Sequence, residues 1–99
     1  MVFRLCFINI LKNWYVYMIH CSDDSLYTGI TVDVNRRYKQ HADQKGAKYF
    51  RGRQPKKLVY MEGDHNRSSA SKREIEIKKL LKVDKLRLIA SVDNQIKSE

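Results

Sequence analysis

Trp14-Tyr15-Val16-Tyr17-Met18-Ile19-His20 alternates and is rich in aromatic and β-branched side chains, the pattern of a β-strand. A polar turn follows, Cys21-Ser22-Asp23-Asp24-Ser25, and the chain returns through Ser25-Leu26-Tyr27-Thr28-Gly29-Ile30-Thr31 as the partner strand of a hairpin. The hairpin carries two short tyrosine-bearing pieces, Tyr15-Val16-Tyr17 and Tyr27-Thr28-Gly29. Gly29 lies inside the second strand, where glycine marks either a bulge or a close approach of another group to the backbone.

Working outward, Asp33 caps a helix expected over residues 34–44, and Gly46 suits its stop. Residues 47–57 form a basic loop in which Lys48, Arg51, Arg53, Lys56 and Lys57 interleave with Tyr49 and Phe50. Residues 58–62 read as a short third strand, 63–67 as a turn and 68–82 as a helix. Val83-Asp84 interrupts the pattern, and Asp84 caps a last helix over residues 85–92. The expected class is α+β: a three-stranded, mainly antiparallel sheet flanked by helices, in the order β-β-α-β-α-α. Residues 1–12 read as an extension or an added edge strand, 13–92 as the domain, and 93–99 as a polar, frayed tail.

The chain has 99 residues, of which 42% are hydrophobic and 31% charged, enough for one domain with one modest core. Twenty Lys and Arg against eleven Asp and Glu leave a net charge of +9. That balance favours a polyanionic partner. The longest apolar stretch, Val2 to Leu11, is interrupted by Arg4 and Asn9, is too short to span a bilayer, and lacks the cleavage site of a secretory signal. Cys6 and Cys21 have no metal-ligand spacing and read as two reduced thiols. The expected location is therefore cytoplasmic, with no membrane partner.

Helical periodicity singles out the polar residues. With Ala70 as origin, Glu74 falls at about 40°, Ile77 at about 340° and Leu81 at about 20°, so Glu74 lies within the apolar stripe while Glu76 points to solvent. A carboxylate on that face needs a cation, either a divalent metal or an arginine. The alternative is a capping box, Ser71-Lys72-Arg73-Glu74, in which the carboxylate reaches back to a helix-start amide. On the first helix His41 shares the inward face with Val34 and Tyr38, and Arg37 flanks it one turn earlier.

This ordered set resembles the GIY-YIG nuclease superfamily, and most of all the small stand-alone GIY-YIG domain proteins of bacteria. Tyr15-Val16-Tyr17 stands at the Gly-Ile-Tyr position and Tyr27-Thr28-Gly29 at the Tyr-Ile-Gly position. Arg37 stands at the helix arginine, His41 one turn later, and Glu74 at the metal-binding glutamate. The segments Gly46-Ala47-Lys48-Tyr49 and Arg51-Gly52-Arg53 are similar to the small bacterial branch. Three positions depart from the family: Tyr15 replaces the first glycine, Ile30 stands where some members have a lysine, and Leu86 stands near where several carry an asparagine.

The resemblance implies metal-dependent endonuclease activity on the phosphodiester bonds of a nucleic acid, most naturally DNA, in repair or recombination. It implies one Mg²⁺ or Mn²⁺ held by Glu74, a phosphate clamp at Arg37, and a tyrosine base for which Tyr17 and Tyr27 are both candidates. His41 would accept the proton or hydrogen-bond a tyrosine hydroxyl. Gly29 would let the backbone approach the phosphate. Lys48, Tyr49, Arg51, Arg53 and Lys56 would contact nucleic acid, with Tyr49 and Phe50 either stacking on an unpaired base or anchoring the loop. Larger relatives carry a separate targeting domain; here a protein partner would supply targeting, or specificity would be low. The alternative is a nucleic-acid-binding module with this fold and little turnover. Oligomeric state is open.

Overall fold

A computed structural model describes residues 12–43 and 48–96. The elements are β1 (Trp14–Cys21), β2 (Leu26–Thr31), α1 (Val34–Ala42), a 3₁₀ turn (Lys48–Arg51), β3 (Pro55–His65), α2 (Arg67–Lys78) and α3 (Lys82–Ile89). The three strands form an antiparallel sheet in the order β2-β1-β3. The class and order expected from the sequence are those observed.

The central strand β1 is buried on both faces: Val16, Tyr17, Met18 and Ile19 are each at most 1% exposed. Period-two geometry sends them to opposite sides. Val16 and Met18 join Tyr60, Ala70 and Ile77 under α2, with Leu88 and Ile89 of α3 packed alongside. Tyr17, Ile19 and Cys21 join Val34 of α1 and Phe50 of the 3₁₀ turn on the other face.

Local chemistry sets the boundaries. Cys21 N–H donates to Ser25 O at 2.9 Å, and Asp24 takes the left-handed conformation (φ 67°) that closes the hairpin. Asp33 caps α1 as expected, its Oδ1 accepting from Arg36 N–H at 3.1 Å. That helix ends at Ala42 rather than 44, and the expected stop at Gly46 lies outside the described residues.

Several boundaries differ. The third strand runs eleven residues, Pro55–His65, absorbing the expected turn and the end of the basic loop. It is an edge strand, where proline and exposed lysines are tolerated. The capping box belongs to Asn66 and Ser69, not to Ser71 and Glu74: Ser69 N–H donates to Asn66 Oδ1 at 2.8 Å, and Asn66 N–H to Ser69 Oγ at 3.1 Å. Because α2 stops at Lys78, Leu81 leaves the apolar stripe, precedes α3 and is 71% exposed. Asp84 sits in the first turn of α3 rather than capping a later helix.

The expected frayed tail is tied down at its start. Asn94 Oδ1 accepts from Met61 N–H at 3.2 Å and Ile96 N–H at 3.0 Å, and its Nδ2 donates to Val59 O and Ile89 O, each at 2.8 Å. Gln95 N–H donates to Met61 O at 2.8 Å, so this segment covers the open edge of β3. The extension over residues 1–11, with Cys6, lies outside the described residues, as do 97–99.

Candidate active site

Tyr17 stands at the middle of β1, directly opposite Gly29 of β2. A Cβ at position 29 would lie 2.6 Å from the Tyr17 hydroxyl and 2.8 Å from Cζ, so the phenol occupies the space a side chain would need. The pairing runs through Gly29 without a register shift. Gly29 is therefore not a bulge; it is the seat of the Tyr17 ring.

α1 crosses this face and brings His41 over the strands. His41 Nε2 and the Tyr17 hydroxyl are hydrogen-bonded at 2.8 Å, both fully buried. Tyr27, on the same face, sets its ring edge-on to His41 at 5.2 Å and lies 6.2 Å from Tyr17. Phe50 closes the cluster, 4.3 Å from His41 and 4.9 Å from Tyr27.

Arg37 lies one turn before His41 and is half-buried. Its Nη1–H donates to Gln40 Oε1 at 2.9 Å, a positioning contact at i,i+3 that the sequence reading missed. Its positive charge acts on Tyr17, Tyr27 and His41.

Glu74 approaches from α2, which lies against the opposite face. β2 is an edge strand, and α2 packs against it. The negative charge of Glu74 is felt at Tyr27. The Glu74 side chain is 22% exposed, on the shoulder of the apolar stripe rather than in the core, and its salt-bridge partner is Lys78 at 3.3 Å. Lys78 is itself half exposed, so this pair is weak and easily displaced.

The electrostatics are those of a desolvated pocket. Burial pushes the Tyr17 phenol well above its ordinary value and neighbouring Tyr27 adds to this, while Arg37 opposes both. Burial also raises Tyr27, again against Arg37 and with Glu74. Burial, then the Arg37 charge, lowers His41 to about 4, so the imidazole is neutral near pH 7. Both phenols are protonated in the free protein.

The donor set suits a hard cation in one way only. Among the described residues no three His, Cys, Asp or Glu side chains converge. A single part-exposed carboxylate fits an ion that keeps most of its waters and takes the rest of its ligands from a phosphate, as Mg²⁺ does.

The basic loop divides. Lys48, Arg51, Lys56 and Lys57 are exposed. Arg53 is not free: its Nε pairs with Asp23 at 2.8 Å, its Nη1–H donates to Tyr49 O at 3.3 Å, and its guanidinium lies over the Tyr49 ring at 4.0 Å. Tyr49 in turn packs on Tyr27 and Phe50. Of the two readings for these aromatics, the structure places both as loop anchors, and Arg53 as their clasp.

Residues 13–87 match the family described as the GIY-YIG catalytic domain. A UPF0213 protein of Clostridium perfringens is 52% identical over 77 residues, covering 78% of this chain and 83% of its own length. One from Natronomonas pharaonis is 49% identical over 76 residues, covering 77% and 89%. The solution NMR structure of the UPF0213 protein BH0048 from Bacillus halodurans is similar with a TM-score of 0.52 and 43% identity, over 83% of this chain and 87% of that one.

Proposed function

This chain belongs to the GIY-YIG catalytic domain family, a family of endonucleases acting on nucleic acid, and from that membership and its geometry we propose a metal-dependent endonuclease that hydrolyses phosphodiester bonds in DNA, in repair or recombination. One observation carries the reading: the Tyr17 hydroxyl and His41 Nε2 are hydrogen-bonded at 2.8 Å with Tyr27 packed on that imidazole, one helical turn from Arg37. Tyr17 of β1, Tyr27 of β2 and His41 of α1 thus gather on one face, and in this reading Glu74 of α2 completes the set from the border of β2.

Hydrolysis needs an activated water, a neutralised phosphoryl group and a stabilised leaving oxygen. Glu74 would hold one Mg²⁺ or Mn²⁺, which when bound supplies Lewis-acid stabilisation of the leaving oxygen. Arg37, pre-aimed by Gln40, clamps the non-bridging oxygens with its planar fork. Of the two phenols, Tyr17 is backed by an imidazole, so the base role falls to it. Its oxygen takes the water proton as its own proton passes to neutral His41 Nε2. Tyr27 orients the water beside it. Lys48, Arg51 and Lys56 hold the sugar-phosphate backbone without reading sequence.

One observation favours the alternative of a binding module with little turnover: burial holds both phenols protonated, which slows a tyrosine base. The deciding experiment incubates the protein with plasmid, branched and single-stranded DNA in Mg²⁺ or Mn²⁺, beside Glu74→Ala. Metal-dependent cleavage that the variant loses is expected. Binding without cleavage by either protein makes it the module.

A further inference from the structure

Arg37 faces a second space. Outside the tyrosine cluster it lines a cavity of about 290 Å³ between the start of β1, the end of β2 and the first turns of α1. Trp14, Ile30 and Val32 supply the apolar wall, and Asp33 and Arg36 the polar rim. Trp14 is half-buried with its ring held against Arg67, whose guanidinium carbon lies 5.8 Å from the ring centroid. Asp33 is fixed by its cap bond to Arg36 N–H at 3.1 Å. Arg36 itself is exposed.

The ligand class follows from the mixture. A phosphate alone would not use an indole and two aliphatic side chains. An aliphatic ligand would not use two guanidiniums and a carboxylate. A nucleobase uses all of them: its face stacks on an aromatic ring, its edge meets fixed hydrogen-bonding groups, and the phosphate attached to it meets arginine. The size is at the small end for ligand cavities, about 300 Å³ upward, which suits one base and not a stacked pair. Tyr49 and Phe50, which could have stacked on a base or anchored the loop, pack as anchors, and here an aromatic ring lines open space beside the clamp.

We infer that this cavity is a nucleobase subsite: it takes the base of one unpaired nucleotide adjoining the phosphate that Arg37 clamps. The inference rests on the clamp role assigned above. A base within an intact duplex cannot enter, because it is stacked on both sides.

Trp14 is the chain's one tryptophan, so its fluorescence reports the subsite directly. The full-length protein in EDTA is titrated with three hairpin duplexes, one carrying a single bulged nucleotide, one the same bulge without its base, and one fully paired, each as DNA and as RNA. Quenching by the bulged base alone is expected, in whichever polymer binds tighter, with affinity falling roughly 10-fold in Arg36→Ala. Equal quenching by all three hairpins, or none by any, overturns the subsite. Arg36→Ala keeps the Trp14 reporter and changes an exposed side chain, so the test needs no substitution at Trp14. The two readings fail separately. Metal-dependent cleavage lost in Glu74→Ala, without base-dependent quenching, refutes the subsite and leaves the nuclease. Base-dependent quenching by a chain that never cleaves refutes the nuclease and leaves the subsite.

Discussion

Two clusters on this sheet use the same residue types to opposite ends. On the α2 face, Glu62 accepts from the Tyr60 hydroxyl, contacts His65 Nε2 at 2.6 Å, and receives Arg73 Nε–H at 3.1 Å. His65 Nδ1 meets Ser69 Oγ at 2.9 Å, so this imidazole is held at both nitrogens. Burial alone would raise the Glu62 carboxyl, yet those hydrogen bonds and the Arg73 charge hold it below its ordinary value. On the α1 face, among the described residues, His41 Nδ1 is buried without a hydrogen-bond partner and Arg37 has only a neutral amide in its fork, and at the border of β2 the Glu74 carboxylate of α2 has one weak lysine contact. A Tyr-His-Arg-Glu set whose charges cancel is a girder. The same set with its charges left over is a place for a ligand that brings the missing ones.

The sharpest way to break this contrast is to neutralise each carboxylate in turn. Glu74→Gln is expected to lower metal-dependent cleavage by roughly 10³-fold, the loss of one Lewis-acid interaction worth about 4 kcal/mol, with the melting temperature nearly unchanged. Glu62→Gln is expected to leave the rate per folded molecule within about twofold of the wild type. Equal loss of cleavage in both would erase the distinction.

The next largest effect is in pH. His41 falls to about 4 in the folded chain from an ordinary 6.5, so the unfolded chain binds the extra proton first as acid is added. Stability from this group is complete above about pH 6.5 and drains away toward pH 4, by up to about 3 kcal/mol. Denaturant unfolding across that window checks it. His41→Gln should flatten the slope between these two pH values. Glu62 acts in a lower window: its folded carboxyl is depressed, so its contribution holds above the ordinary carboxylate range and is lost only as pH falls through the folded value. A single acid transition below pH 4 that ignores His41→Gln would remove the separation between the two clusters.

Third comes the cost of opening the girder. Glu62→Gln leaves Arg73 and His65 facing an amide in a part-buried site and is expected to cost about 2 kcal/mol of unfolding free energy. The corresponding loss for Glu74→Gln is expected below about 0.5 kcal/mol, because its partner is half exposed. Urea midpoints of the two variants, measured together, give the difference.

What the chain reveals without coordinates follows the same line. The hairpin, the Asp33 cap and the inward face of His41 with Arg37 at its flank are local patterns that survive in the fold, while Glu74 moves from the apolar stripe to its shoulder. The girder does not announce itself, because Glu62 and His65 belong to one strand whose true length the sequence hides, and Arg73 to the helix after it. That length was hidden by Pro55 and the lysines at 56 and 57, which look like loop but are ordinary on an edge strand. A capping box at Ser71 and Glu74, the alternative open in the sequence, shows a carboxylate, whereas the one formed by Asn66 and Ser69 has none to show. The seat at Gly29 depends on cross-strand pairing with Tyr17, which spacing alone does not supply.

The smallest expected effect tests which side of the sheet nucleic acid lies on. Lys48 and Arg51 bracket Phe50 at the rim of the open cluster, both exposed, whereas Lys72 and Lys79 are equally exposed on the α2 side. Net charge treats the two pairs alike, since each substitution to alanine removes two positive charges. Local contact does not. If backbone phosphates pass over the Tyr17–His41 cluster, the Lys48→Ala, Arg51→Ala variant releases two fewer counterions, and the slope of log binding constant against log salt falls by about 1.8 for duplex DNA. The Lys72→Ala, Lys79→Ala variant should keep the wild-type slope and lose only a little affinity through the longer-range field. The reverse pattern would put the polyanion on the closed face, and the leftover charges at Arg37 and Glu74 would then have no phosphate to meet.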